Sequence, residues 1–182
     1  DILQDEFNLD AYIIDKKNKK LLIPKTNYVY LDKFKNTNNE VFYENKIKTV
    51  KELGNLIRTG SFENLFYLVG ILNQSDPSQI YLSKAEQIYS IRQENKQNLD
   101  DLYALLASQI LQKKAYEAEK TVNQILAKDS LNGNAYIAKI AIEIYRFKLM
   151  EAKNSINLAK SISNKSDESK KIIEDIYKIF NF

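Results

Sequence analysis

A 34-residue offset relates two stretches of this chain, and it limits the fold more than any other feature. Ala107 maps onto Ala141, Leu106 onto Ile140, Ile110 onto Ile144, Glu117 onto Glu151, Ala118 onto Ala152 and Val122 onto Ile156. Asp100 maps onto Asn134, and both suit a helix N-cap, where a short polar side chain accepts a bond from a free backbone N–H. Within each copy the apolar positions recur every three or four residues, the spacing of one helix face. One such pair of helices cannot bury its apolar face alone, so a period of this length implies helix pairs stacked along an axis. Leu99–Ala159 therefore predicts two stacked pairs.

The small residues in the pattern carry a more specific message. The first copy reads Tyr103-x2-Leu106-Ala107-x2-Ile110, then Ala118-x3-Val122, then Ser130. The second reads Ile137-x2-Ile140-Ala141-x2-Ile144, then Ala152-x3-Ile156, then Asn164. With an insertion allowed, an earlier copy reads Phe66-x2-Val69-Gly70-x2-Asn73, then Ala85-x3-Tyr89. Gly70, Ala107 and Ala141 would let a neighbouring helix come close, and Ala85, Ala118 and Ala152 would do so on the second helix. Over Ser61–Asn164 the chain resembles tetratricopeptide repeat proteins, whose pattern is W-x2-L-G-x2-Y, A-x3-F and P. It lacks that family's Trp and Pro. The resemblance implies a mainly α fold: an antiparallel helix-pair solenoid of about three pairs, closed by a C-terminal capping helix.

Composition fits such a fold and narrows the chemistry. The chain has 182 residues, 44% hydrophobic and 28% charged, with two Pro and four Gly to interrupt helices. Residues 1–60 hold eleven basic and nine acidic side chains and the remainder sixteen and fifteen, so the net charge of +3 is not concentrated anywhere. Three basic residues are Arg, the side chain best suited to reading bases. A nucleic-acid partner is not expected, since it would need clustered Lys and Arg. The one basic run, Lys16-Lys17-Asn18-Lys19-Lys20, reads as a solvated turn. No apolar run reaches the roughly 18 residues of a membrane span, so no direct membrane insertion by this segment is expected. The chain starts at Asp1 and not Met. That predicts a processed or excised piece, preceded by a signal peptide, lipid anchor or membrane helix and held in the cell envelope. Heavy use of Lys, Asn, Ile and Tyr fits an AT-rich bacterial genome such as a spirochaete's.

Residues 1–46 do not follow the repeat. Tyr12-Ile13-Ile14, Leu21-Leu22-Ile23, Tyr28-Val29-Tyr30-Leu31 and Val41-Phe42-Tyr43 are short apolar runs bounded by polar residues, which predicts strands or an extended arm. Pro24 ends the second run or places it on an edge. Helices are expected from Thr49, where Thr49-Val50-Lys51-Glu52 has the form of a capping box. Val50, Leu53, Leu56 and Ile57 share a face, and Gly60 then Ser61 end that helix and cap the next. Phe62, Leu65, Phe66, Val69 and Leu72 form the following face. Asp76-Pro77 marks a turn, Ser83–Glu86 a second capping box, and Ile80, Ile88 and Ile91 a third apolar face. Gln93–Asn98 is a polar junction. Ile172, Ile173, Ile176, Ile179 and Phe180 give Asp167–Phe182 the stripe of a capping helix. The domains so read are 1–46, extended or β-like, and 47–182, repeat with a capping helix at 167–181.

Catalysis is hard to build from these side chains. Without His or Cys there is no Ser-His pair, no imidazole or thiolate metal site and no Cys nucleophile. No Gly-rich phosphate loop exists. Carboxylates such as Asp100-Asp101 and Glu117 with Glu119 are neighbours that do not converge on one point. We expect no enzyme, no metal and no cofactor.

The expected function is surface recognition. By the resemblance, the first helix of each pair lines a concave face: Asn64, Tyr67 and Ile71, then Asp101, Ala104, Ser108, Leu111 and Gln112, then Ala138, Ile142, Tyr145 and Arg146. These positions are mostly small or apolar, which argues against a clamp for a peptide carboxylate. Tyr67, Ile71, Leu111, Gln112, Ile142, Tyr145 and Arg146 are the candidate contacts with another protein, Tyr and Arg being frequent anchors. The expected role is a scaffold or adaptor. The alternative is a structural subunit of an obligate complex, with the N-terminal segment as its main contact. Cover of Leu111 and Ile142 by that segment would remove the groove.

Overall fold

The structure, a computed structural model, describes residues 39–75, 79–96 and 98–180. The apolar runs at 12–14, 21–23 and 28–31, and the Lys-rich turn, lie outside the described residues. Within them every regular element is an α-helix and none is long and apolar enough to cross a membrane. In chain order they are α1 (Asn39–Thr59), α2 (Phe62–Ser75), α3 (Ile80–Lys96), α4 (Leu99–Leu111), α5 (Ala115–Lys128), α6 (Gly133–Tyr145), α7 (Leu149–Ser161) and α8 (Asp167–Ile179).

The 34-residue period is written in the backbone. Asn98 and Asn132 are the N-caps of α4 and α6, accepting bonds from Asp100 N and Asn134 N. Asp100 and Asn134, expected as the caps, are instead the capped residues. Both helices close on a six-to-one bond, Lys114 N to Gln109 O at 2.9 Å and Lys148 N to Glu143 O at 2.8 Å. The residue before each, Lys113 or Phe147, has a left-handed backbone with φ of 60° or 58°. These are Schellman closures with no glycine in the left-handed place.

Two neighbouring ion-pair groups repeat as well. Gln112 and Lys114 both reach Glu86 on α3, at 3.0 Å and 2.5 Å. Thirty-four residues after Gln112 and Lys114, Arg146 and Lys148 both reach Glu119 on α5, 33 residues after Glu86, the latter at 2.6 Å. So α3 stands to the α4–α5 pair as α5 stands to the α6–α7 pair. Its buried face is Tyr81, Leu82, Ala85 and Tyr89, whereas Ile80 and Ile91 are exposed. The expected face was one step out of phase around the helix. Tyr89 donates from its hydroxyl to Ile47 O at 3.1 Å, and burial raises its pKa to about 12.

α1 differs most from expectation. It starts at Asn39, so Val41-Phe42-Tyr43 is helical, and the Thr49 and Ser83 boxes lie inside α1 and α3. It packs most extensively on α4. A Cβ on Gly54 would stand 2.5 Å from Ala104 N and 2.6 Å from Tyr103 C, so only a glycine allows this approach. Val50-x2-Leu53-Gly54-x2-Ile57 has the same spacing as Tyr103–Ile110 and is buried, apart from the spacer residues. Gly70, expected at such a contact, has nothing within 4 Å of its would-be Cβ.

Gly60 ends α1 as expected, with φ 72° and with Ser61 N bonded to Leu56 O at 2.9 Å. The turn then touches α6 and α8. Asn134 donates to Arg58 O at 3.0 Å and accepts from Ser166 N at 2.8 Å. Ser166 in turn donates to Gly60 O at 2.9 Å and caps α8 through Ser169 N. α8 covers α6 and α7, with Ile173 buried beside Ile137, Ile140 and Ile156. Each such fully buried aliphatic side chain contributes about 1.5–3 kcal/mol. Ile179, expected in the buried stripe, is exposed. α2 is held by Phe62 and Leu72, whereas Phe66, expected in its buried face, is exposed.

Candidate functional site

The expected groove positions fall into three environments. Asp101, Ala104, Ser108 and Ala138 are buried. Ser108 donates to Leu105 O at 2.7 Å within its own helix, and Asp101 lies 4.0 Å from Arg92 of α3. Leu111 is half-buried on the main core, and Gln112 is tied to α3 through Ser83 and Glu86. Asp101 and Gln112 thus join α3 to α4, and Ala104 meets α1 at Gly54. Tyr67 and Ile71 are exposed on α2, and Asn64 donates to Ser61 Oγ at 3.2 Å.

Ile142 and Tyr145 are brought together. They line an open apolar cleft of about 210 Å³ with Ile110, Lys113, Ala115, Ala118 and Ala141. The cleft lies between α6 and the α4–α5 turn with the start of α5. Ala107, the counterpart of Ala141 one period earlier, is buried at 1% exposure. Ala141 is exposed, against the expectation of a close helix contact. Small residues of α5 face it, Ala115 and Ala118, where α3 has Leu82 and Ala85 at the same register.

From Tyr145 at that cleft the chain runs into the α6–α7 turn, where several large apolar side chains are exposed. Tyr145 is 60% exposed and buried Ile142 forms part of the floor. Phe147 is 89% exposed, and Leu149 and Met150 follow it. Tyr116, also exposed, carries the Arg146 guanidinium over its ring at 5.4 Å. Arg146 is thus held between Glu119 and Tyr116.

Phe147 is the residue that the motif reading missed. A left-handed backbone is costly for a bulky side chain, and glycine serves there in most helix ends. Its counterpart one period earlier is Lys113, which offers a charge to solvent; Phe147 offers an aromatic ring. An aromatic residue at the turn in only one copy was the available signal. Among the described residues no three acidic side chains gather to hold a metal ion. No family model matches the chain, and no curated protein or solved structure matches it.

Proposed function

We propose that this chain is a non-enzymatic protein-binding module, a scaffold or adaptor built as a tetratricopeptide-like solenoid. Its units are α1 with α3, α4 with α5 and α6 with α7, capped by α8, and α2 is an insertion in the first unit. Its docking surface is the edge formed by the α4–α5 and α6–α7 turns, with Tyr116, Tyr145, Phe147 and Met150 as contacts and the cleft as the pocket for a partner side chain. One observation carries this reading: Phe147 keeps a large apolar ring in solvent at a strained position that the fold would fill better with glycine. Strain and exposure at one residue are what a binding role would maintain. Aromatic anchors beside a pocket are the usual centre of a protein interface. Of the concave positions of α4, Asp101, Ala104 and Ser108 are buried, whereas Leu111 and Gln112 keep part of their surface in solvent.

The test replaces Phe147 with a photoreactive phenylalanine in the producing cell, with the same residue at exposed Lys171 of α8 as control. The proposal expects one protein adduct at position 147 and none at 171. Identical adduct patterns at both positions, or none at 147, would overturn it. Size measurement of the purified chain separates the adaptor, a monomer alone, from a subunit of an obligate complex, which self-associates.

A further inference from the structure

The two repeats differ at one buried polar couple. In the α4–α5 pair Thr121 donates to Gln109 Oε1 at 2.7 Å, and both are buried. One period later the same places hold Ser155 and Glu143, again both buried. A neutral amide has been replaced by a carboxyl, and Glu143 Oε2 has no hydrogen-bond partner. An uncompensated charge there would be costly, since burial strips its water without a full replacement.

The surroundings supply only part of that replacement: Ser155 hydrogen-bonds the carboxyl but Oε2 is left without a partner. Lys139, one turn back on α6, has its ammonium 3.9 Å from Glu143 Oε1, beyond hydrogen-bond distance. At the start of α7, Lys148 is bound to Glu119 of α5, and Glu151 adds a like charge. α8 brings apolar Ile173 to the core beside Ile140 and Ile156, and α1 meets α6 through the Arg58 carbonyl near the start of α6. We propose that Glu143 makes the α6–α7 pair a proton-sensitive joint, tight when this carboxyl is neutral and loosened when it ionises.

Burial, the largest influence, raises the pKa of Glu143 above the ordinary 4.5, against smaller opposing effects of Ser155, Lys139 and Lys148. The sign follows by linkage. The unfolded chain releases this proton at lower pH than the folded chain. The stabilisation is therefore complete below the unfolded pKa and is lost as pH rises through the folded one. Each unit of elevation is a tenfold change in the folding equilibrium.

The experiment measures melting temperature against pH for the full chain and for Glu143→Gln, which restores the chemistry of the first repeat. The gain of the variant over the parent should grow as pH rises from 4 and then level off. A gap independent of pH would overturn the proposal. A second measurement is independent of the variant's folding: the side-chain carboxyl carbon of Glu143, followed by NMR in the parent chain. It should titrate above the exposed glutamates. A midpoint equal to theirs or lower would overturn the proposal as well. Gln109→Glu should install the same pH dependence in the α4–α5 pair. Neither readout depends on the proposed docking edge.

Discussion

Adding one methyl group should have opposite effects at two helical glycines. Gly54→Ala places a Cβ 2.5 Å from Ala104 N and 2.7 Å from Tyr103 O. These are backbone atoms of a buried helix and cannot rotate away. Relief to ordinary contact needs α1 and α4 to separate by roughly 1 Å, a gap that forfeits a quarter to a half of each contact across the seam. Overpacking of this kind costs about 1–3 kcal/mol, and a rigid backbone places it near the upper end. Alanine returns about 1 kcal/mol of helix propensity. The net expectation is a loss of about 2 kcal/mol, or roughly 4–8 °C in melting temperature for a chain of this size. Gly70→Ala meets nothing within 4 Å. It should gain about 0.5–1 kcal/mol from propensity and from the unfolded chain. Urea unfolding followed by far-UV circular dichroism measures both with unchanged slope. Equal stability of the two variants would refute the α1–α4 seam.

Three further outcomes follow from the packing. Ala107→Leu should cost roughly 1–3 kcal/mol in thermal unfolding, while Ala141→Leu enters the open cleft and should change stability by no more than about 0.5 kcal/mol. Asn134→Ala removes the bonds to Arg58 O and Ser166 N and should cost about 1–3 kcal/mol in the same melt. A chain ending before Asp167 bares Ile137, Ile140 and Ile156 and should aggregate in light scattering, whereas a stable monomer would show that α8 is not a cap.

The repeat was legible because its apolar and small residues recur at one offset with no insertion between the copies. The earlier copy was misplaced, because α2 intervenes between α1 and α3. The eye settles on Phe66–Asn73, which has the right spacing and a glycine, yet Val50-x2-Leu53-Gly54-x2-Ile57 has that spacing too and makes the contact. Propensity misled at Val41-Phe42-Tyr43: β-branched and aromatic residues favour strands, and α1 nonetheless runs through them. The caps were read two residues late because Asp100 and Asn134 are good cap residues, and only geometry distinguishes them from Asn98 and Asn132. Of the expected contacts, Tyr145 and Ile142 share the cleft, while Leu111 and Gln112 serve the fold. Pattern gives the face of a helix, and it cannot say which other helix lies on that face. Phe147 sits in a turn, outside helical periodicity, and only its comparison with Lys113 one repeat earlier could have singled it out.

The central claim is that the turn edge binds a protein through Phe147. Its most direct test is Phe147→Gly, with affinity for the crosslinked partner and melting temperature measured on the same sample. Glycine suits a φ of 58°, so relief of left-handed strain offsets the greater freedom of the unfolded chain. The account predicts a melting temperature unchanged or raised, with affinity lowered by more than about 2 kcal/mol, as for an aromatic anchor. Full affinity at unchanged stability would contradict it.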